Sequence, residues 1–300
     1  MIASRIEWLV YVGFFSLALA PCAGAAYVDI VLADHPVAYY RLSETTESAA
    51  VSDTADDTGV PQQGAQDGSF NNFTDTAVNV AGPRPTAFPG FESDNSAASF
   101  DSSRYVAVAD TTALQITGAL TLEAWINVHN LPGTNGNAGI VAKYVGSGDK
   151  RAYNLYIDGQ SGSQALGLVI SPDGTFSSAA VLTDNVALDE DEWLHVVGTF
   201  DPNTAMRLYI DGQQAASTTS GVPSQIANTS ADLWLGVQYH LGTTGNFLDG
   251  LLDEVAIYNR VLSPSEIEEH YQTGVTIPEP SAAAMLLALF GGLLASRRRA

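Results

Sequence analysis

The chain has 300 residues, 33 acidic side chains against 12 basic ones, and a formal net charge of −21. That balance excludes a nucleic-acid binder and a protein that adheres to anionic membranes, since both need clustered Lys and Arg. The single cysteine, Cys22, excludes a disulfide-stapled scaffold.

Taken in chain order, the first element is an export signal. Arg5 supplies positive charge, Trp8 to Ala20 is apolar, and Ala23-Gly24-Ala25 offers a small-x-small cleavage site, with Gly24-Ala25-Ala26 one residue on. This predicts a signal peptide over 1–25 with a short signal helix. Cys22 precedes either site, so the exported chain carries no thiol.

Residues 43–97 are rich in Ser, Thr, Asp, Gly, Asn and Pro. They predict long loops with short strands around Phe70 to Phe73 and Val78 to Val80. From there the pattern has period two. In Leu120 to Val128, residues 120, 122, 124, 126 and 128 are all apolar, which predicts a strand with one buried face. Trp193 to Phe200, Met206 to Ile210, Leu233 to Val237 and Leu251 to Tyr258 read as further strands. The hexapeptide Leu-Tyr-Ile-Asp-Gly-Gln occurs at 155–160 and again at 208–213. Asp-Gly after such a strand predicts two hairpins of one local type. Ser263-Pro264-Ser265-Glu266 predicts one short helix with Ser at the N-cap, Pro at N1 and Glu at N3, closed by Gly274.

The last segment is tripartite. Pro278-Glu279-Pro280 holds the chain extended. Residues 282–295 form an uncharged apolar run of about 21 Å as a helix, short against a hydrocarbon core of about 30 Å. Arg297, Arg298 and Arg299 follow and would hold the end in the cytoplasm. This resembles the PEP-CTERM sorting signal over 277–300. The resemblance implies an exosortase-type membrane transpeptidase as partner and transient inner-membrane contact through the tail. The destination it implies is the cell surface, outer envelope or extracellular matrix.

Several segments resemble a second family in its own order. They are Asp34 to Glu44, Ala98 to Asp101, Tyr105 to Val108, and Glu123-Ala124-Trp125 within its strand. Trp193 to Asp201 with Leu208 to Gly212 form the signature pair. Leu235-Gly236, Phe247 to Val255 and Tyr258 to Ser263 complete the set. Together they are similar to the laminin-G-like jelly roll of the concanavalin A-like lectin/glucanase fold, over residues 27–274. The resemblance implies an all-β, antiparallel jelly-roll β-sandwich with one short C-terminal α-helix, flanked by the signal helix and the C-terminal hydrophobic helix.

Glucanases of that fold carry Glu-x-Asp-x-x-Glu, and no Glu in this chain has Asp at +2 and Glu at +5. Retaining glycosidases need two carboxylates about 5–5.5 Å apart, whereas Asp189 to Glu192 alternate faces and read as a solvated turn. His35, His129, His195, His240 and His270 are scattered, and His195 reads as structural. The expectation is a non-catalytic module.

Asp253, on a strand from Leu251 to Ile257, is expected to share the core face with Leu251, Val255 and Ile257. A carboxylate there costs several kcal/mol unless paired or metal-bound. The resemblance implies a structural calcium ion held by Asp253 with Asp34 or Asp57. The alternative is a hydrogen-bonded aspartate, or one paired with Arg41 or Arg260. Tyr144 and Tyr239 lie beside Gly-rich loops, and Trp125 either points to the concave surface or packs under a neighbouring loop. These three are the candidate ligand contacts. The expected function is an exported binding module for a polysaccharide or surface protein, with a structural polymer component lacking a discrete ligand site as the alternative.

Overall fold

The alternation in Leu120 to Val128 sorts as its period requires. Leu120, Leu122, Ala124, Ile126 and Val128 all enter the main hydrophobic core. The intervening residues are buried as well, because this strand is covered on both faces.

The computed structural model describes residues 26–55, 66–134, 136–240 and 243–276, which belong to one compact unit. In chain order the elements are α1 (Tyr27–Ala33), β1 (Ala38–Tyr40), β2 (Ala50–Val51), β3 (Gly68–Asn71), β4 (Val80–Ala81), β5 (Ser96–Phe100), β6 (Tyr105–Val108), β7 (Leu120–Val128), β8 (Asn137–Val145), β9 (Lys150–Asp158), β10 (Ala165–Ile170), β11 (Ala180–Thr183), β12 (Trp193–Asp201), β13 (Ala205–Ile210), β14 (Gln213–Thr218), β15 (Leu233–Leu235), β16 (Val237–His240), β17 (Thr243–Phe247), β18 (Gly250–Tyr258) and α2 (Pro264–Val275).

Two sheets form the sandwich. The first runs β14-β13-β12-β7-β18-β5-β4, with β1 also on β18; the second runs β11-β10-β9-β8-β15-β6-β3-β2, with β16 and β17 attached at β8. Consecutive hairpins (β12-β13-β14 and β8-β9-β10-β11) join strands remote in the chain such as β7, β18 and β5, and pairing between named strands is antiparallel except between β16 and β8. This is the antiparallel jelly roll that the sequence predicts. The inner faces share one core. A second apolar cluster lies on the outer face of the first sheet, where Trp125, Val197, Tyr209, Ala256 and Tyr258 meet Tyr27 and Val31 of α1 and Ile267 of α2.

Helix α1 is not anticipated by the sequence pattern. It is too short for a visible period, and it is held by packing: Tyr27 stacks on Phe91 at 4.7 Å and meets Trp125 edge-on at 5.9 Å. Helix α2 is capped as predicted, with Ser263 Oγ accepting from Glu266 N and Glu266 accepting from Ser263 N. Gly274 does not close it, since the helix continues to Val275. A Cβ on Gly274 would stand 2.8 Å from the Trp125 ring, so this glycine permits close approach of helix to sheet.

The two Leu-Tyr-Ile-Asp-Gly-Gln segments fold differently. Asp211-Gly212 makes a two-residue turn between β13 and β14 at φ of 51° and 75°. Asp158 instead stays in β9, and a six-residue loop leads to β10. Gly159 packs so closely on the Pro132–Gly136 backbone that a Cβ would meet its carbonyls at 2.5–2.7 Å. The first copy therefore opens into a loop packed on that backbone, and the second closes as a tight turn.

The signal helix, residues 277–300 with Pro278, Glu279, Pro280 and Arg297 to Arg299, and Asp57 lie outside the described residues. Among the described residues no helix is long and apolar enough to cross a membrane.

Candidate functional site: a groove on the outer face of the second sheet

On β9, Tyr153, Leu155 and Ile157 enter the core, so Asn154, Tyr156 and Asp158 stand on the opposite face. There they join Tyr144 of β8, Val169 of β10, Val181 of β11, Gln238 of β16 and Asn246 of β17. Together with Asn137, Arg151, Gln160, Ser161 and Phe176, these residues line a groove of about 500 Å³. Ala142, Tyr144, Tyr156 and Val169 form its apolar floor.

A β-bulge decides which side chains reach the groove. Lys143 pairs with Tyr153 but Tyr144 pairs with Arg151, leaving Ala152 as the extra residue. Ala152 and Tyr153 both enter the core. The parity of β9 therefore changes there, and Arg151 stands on the groove face beside Tyr144; bulges re-aim side chains in this way. The guanidinium carbon lies 5.5 Å from the Tyr144 ring centroid, and Nη2 donates to the Gly146 carbonyl.

Three features mark the groove as unfinished by the protein itself. Asn154 is 1% exposed, lies between Ala142 and Val169 in the register, and its Oδ1 has no partner. Arg151 Nε is likewise buried without a partner. At the rim, Phe176 is 59% exposed and Val181 47% exposed. An unpaired buried acceptor costs roughly 1–3 kcal/mol, and an exposed aromatic forfeits burial energy. Other polar groups are internally satisfied. Asp158 Oδ1 accepts from Ser161 N at 3.2 Å and from the Asn137 amide, nitrogen turned toward it, at 3.2 Å. Asn246 Nδ2 donates to Gln238 Oε1 at 3.2 Å. Burial raises the Tyr144 phenol above its ordinary range, partly offset by Arg151. Asp158 is the one carboxylate among the lining residues.

A second polar cluster is sealed under α1 and α2. Glu123 is fully buried and accepts from Tyr27 Oη at 2.9 Å, Tyr258 Oη at 2.9 Å, His195 Nε2 at 2.7 Å and His270 Nδ1 at 2.9 Å. His270 Nε2 faces Asp34 Oδ2 at 3.0 Å. With a carboxylate at each ring nitrogen, His270 is satisfied only as the imidazolium. Burial opposes that charge, and Glu123 and Asp34 outweigh it, raising the His270 pKa above 6.5. Burial would also raise the Glu123 carboxyl, but the His270 charge and the hydrogen bonds from His195 and His270 hold it well below its ordinary value. No substrate reaches side chains so enclosed; the cluster is structural.

Comparisons with known proteins agree with this architecture. Residues 100–268, more than half the chain, match the laminin-G-like model described as the concanavalin A-like lectin/glucanases superfamily. The chain belongs to this superfamily. No curated protein matches it. Among solved structures, the binding domain of botulinum neurotoxin DC in complex with rat synaptotagmin II is similar at TM-score 0.52 and 11% identity, over 81% of this chain and 52% of that one. Domain 4 of AbnA, a GH43 extracellular arabinanase from Geobacillus stearothermophilus in complex with arabinotriose, is similar at TM-score 0.51 and 17% identity, over 79% and 98%. The botulinum neurotoxin serotype D ligand binding domain in complex with N-acetylneuraminic acid is similar at 0.51 and 12%, over 81% and 52%. This chain thus spans about half the length of the toxin domains, and the likeness is one of fold.

In this concanavalin A-like chain the expected site residues separate. Tyr144 lines the groove. Tyr239 lies on β16, where its backbone pairs with Val145 beside Tyr144. Trp125 does not reach the groove: it is fully buried beneath α2 on the other sheet, stacked on Tyr271 at 6.1 Å, because α1 and α2 cover the face to which its strand parity sends it. Asp253 is not on the core face with Val255 and Ile257. A bulge follows it, with Glu254 at φ 51°, and Asp253 pairs with Trp125 on the outer face. Its Oδ2 accepts from Asn95 Nδ2 at 2.8 Å and its Oδ1 from Glu254 N at 2.9 Å. Asp34 is taken by Arg260 at 2.7 Å and by His270. Both aspartates thus have protein partners on both oxygens. Among the described residues no group of three or more His, Cys, Asp or Glu side chains is arranged to hold a metal. Burial and the Glu254 charge raise the Asp253 carboxyl well above its ordinary value, and burial pushes Glu254 up to about 7 against Arg41 and Tyr39.

Phe176, Arg151 and Asn154 are absent from the sequence expectation. Phe176 lies in a Ser- and Gly-rich loop without period, and Arg151 reaches the groove only through the bulge. Asn154 is the one with a readable signal, since it falls on the polar phase of the Tyr153–Ile157 alternation.

Proposed function

We propose that this chain is a non-catalytic glycan-binding module, exported to the cell surface or extracellular matrix, that takes its ligand in the groove on the second sheet. The observation that carries this reading is Phe176, an exposed aromatic beside a floor that holds the unpartnered Asn154 amide oxygen. An apolar plate next to unfilled hydrogen-bonding groups suits a sugar, which has an apolar ring face and a belt of hydroxyls. A single carboxylate among the lining residues supports binding over hydrolysis, which needs a pair. Domains of like fold in complex with arabinotriose and with N-acetylneuraminic acid lend the reading support by analogy. Export and exosortase-type sorting rest on the sequence patterns at 1–25 and 277–300.

The test is a polysaccharide panel run by affinity electrophoresis and calorimetry on the full chain and on Phe176→Ala. Saturable binding that weakens about tenfold in the variant, at unchanged Tm, is the expected result. Binding equal in both forms would place the ligand elsewhere, and no saturable binding to any glycan would remove the proposal.

A further inference from the structure

Arg151 is the arginine that lines the groove of this acidic chain. Arg41 pairs with Glu92 and Glu254, Arg104 with Asp101, and Arg260 with Asp34 and Glu266. Arg151, like Arg84 and Arg207, makes no ion pair among the described residues, and of these three it alone lines the groove. Its Nη2 is anchored on the Gly146 carbonyl and its plane lies over Tyr144, while Nε is buried and bare. The groove's one carboxylate, Asp158, stands at the other end of β9 and already accepts from Ser161 and Asn137. A bulge is needed to bring Arg151 to this face at all, and bulges at ligand sites re-aim side chains. The guanidinium is therefore oriented, partly desolvated and short of an anion, and carboxylate is the group its fork fits. Asn154 Oδ1 adds a neutral acceptor, suited to a hydroxyl.

We infer that the groove selects a polysaccharide carrying spaced carboxylate groups on an otherwise neutral chain, with Arg151 as the carboxylate's partner. The inference rests on the glycan reading above and narrows it. Spacing follows from charge: a net of −21 repels a dense polyanion as a whole. One positioned guanidinium rewards an isolated carboxylate at short range, within the roughly 8 Å over which charges act at physiological salt.

The experiment uses the full chain with xanthan, gum arabic and partly methyl-esterified polygalacturonate, each beside its carboxyl-reduced twin, together with neutral arabinan and heparin. For at least one pair the acidic form is expected to bind at least tenfold more tightly than its reduced twin, the order of one charge-assisted hydrogen bond. Arg151→Gln should remove that difference between the twins, and heparin should not compete. The twin comparison needs no variant, so it stands even if Arg151→Gln misfolds. Equal binding of every acid and reduced pair would overturn the carboxylate inference and leave the glycan reading intact. Heparin binding more tightly than all other probes would overturn it in favour of a general polyanion site. No binding to any probe, neutral arabinan included, would overturn both.

Discussion

Replacing Glu123 with Gln tests whether the sealed cluster holds the helices to the sandwich. The substitution keeps shape and one acceptor but removes the charge that compensates His270. Breaking one partner of a buried charge pair costs about 3–5 kcal/mol. For a domain of this size each kcal/mol shifts Tm by about 2–4 °C, so a fall of about 6–20 °C is expected by calorimetry near pH 6. The pH profile carries a sharper signature. The folded-state pKa of His270 is raised, so its contribution is fully present below 6.5 and lost as pH rises through the folded value. The folded-state pKa of Glu123 is lowered, so its contribution is present above 4.5 and lost as pH falls through the folded value. Both act fully between about pH 4.5 and 6.5. Tm should therefore fall from pH 6 toward alkaline pH, and Glu123→Gln should flatten that fall. Every charged group facing His270 enters this account: Glu123 from β7, Asp34 after α1, and Arg260 through its pair with Asp34. A Tm within about 2 °C of the parent, or an alkaline fall unchanged in the variant, would refute the reasoning.

Glu254→Gln should flatten a different window. Its folded pKa is raised to about 7, so stability tied to it is greatest below 4.5 and declines as pH rises to about 7; denaturant melts at pH 5 and pH 7.5 should differ less in the variant. Gly274→Val should lower stability by about 1–3 kcal/mol through overpacking against Trp125, read as a reduced denaturant midpoint with unchanged slope. Glycan affinity should be the same with calcium and with chelator, because the groove contains one carboxylate and both oxygens of Asp34 and Asp253 are taken; calorimetric titrations in both buffers check this.

Period and local chemistry made the sandwich legible. The strands over 120–128, 193–200, 206–210 and 251–258 occur where alternation places them, the one expected over 233–237 is broken at Gly236 into β15 and β16, and the cap at Ser263 is as read. What escaped notice depends on contacts remote in sequence. Helix α1 exists because Tyr27 packs on Phe91 and bonds Glu123, 96 positions away. Glu123 and His270 meet across 147 positions, which no spacing rule detects. Parity arguments failed at Asp253 and would fail at Arg151 for one reason: a bulge adds a residue, and every side chain beyond it changes face.

The two outer faces of the sandwich differ in what covers them: α1 and α2 lie on the first, and the second carries the groove. On the first sheet the buried carboxylates are covered and partnered: Glu123 accepts from four side chains, and Asp253 and Glu254 find Asn95, Tyr39 and Arg41, although Trp125 Nε1, Asn127 Oδ1, His195 Nδ1 and Thr199 Oγ1 are buried there without partners. On the second sheet the unpartnered atoms Asn154 Oδ1 and Arg151 Nε belong to residues that line the groove. Folding alone would favour a hydrophobic residue at 154, between Ala142 and Val169, since that removes an unpaired acceptor at little cost in packing. Asn154→Leu should accordingly leave Tm equal or raise it while abolishing glycan affinity. A variant that lost stability along with binding would mean that Asn154 serves the fold, and would return the groove to ordinary surface.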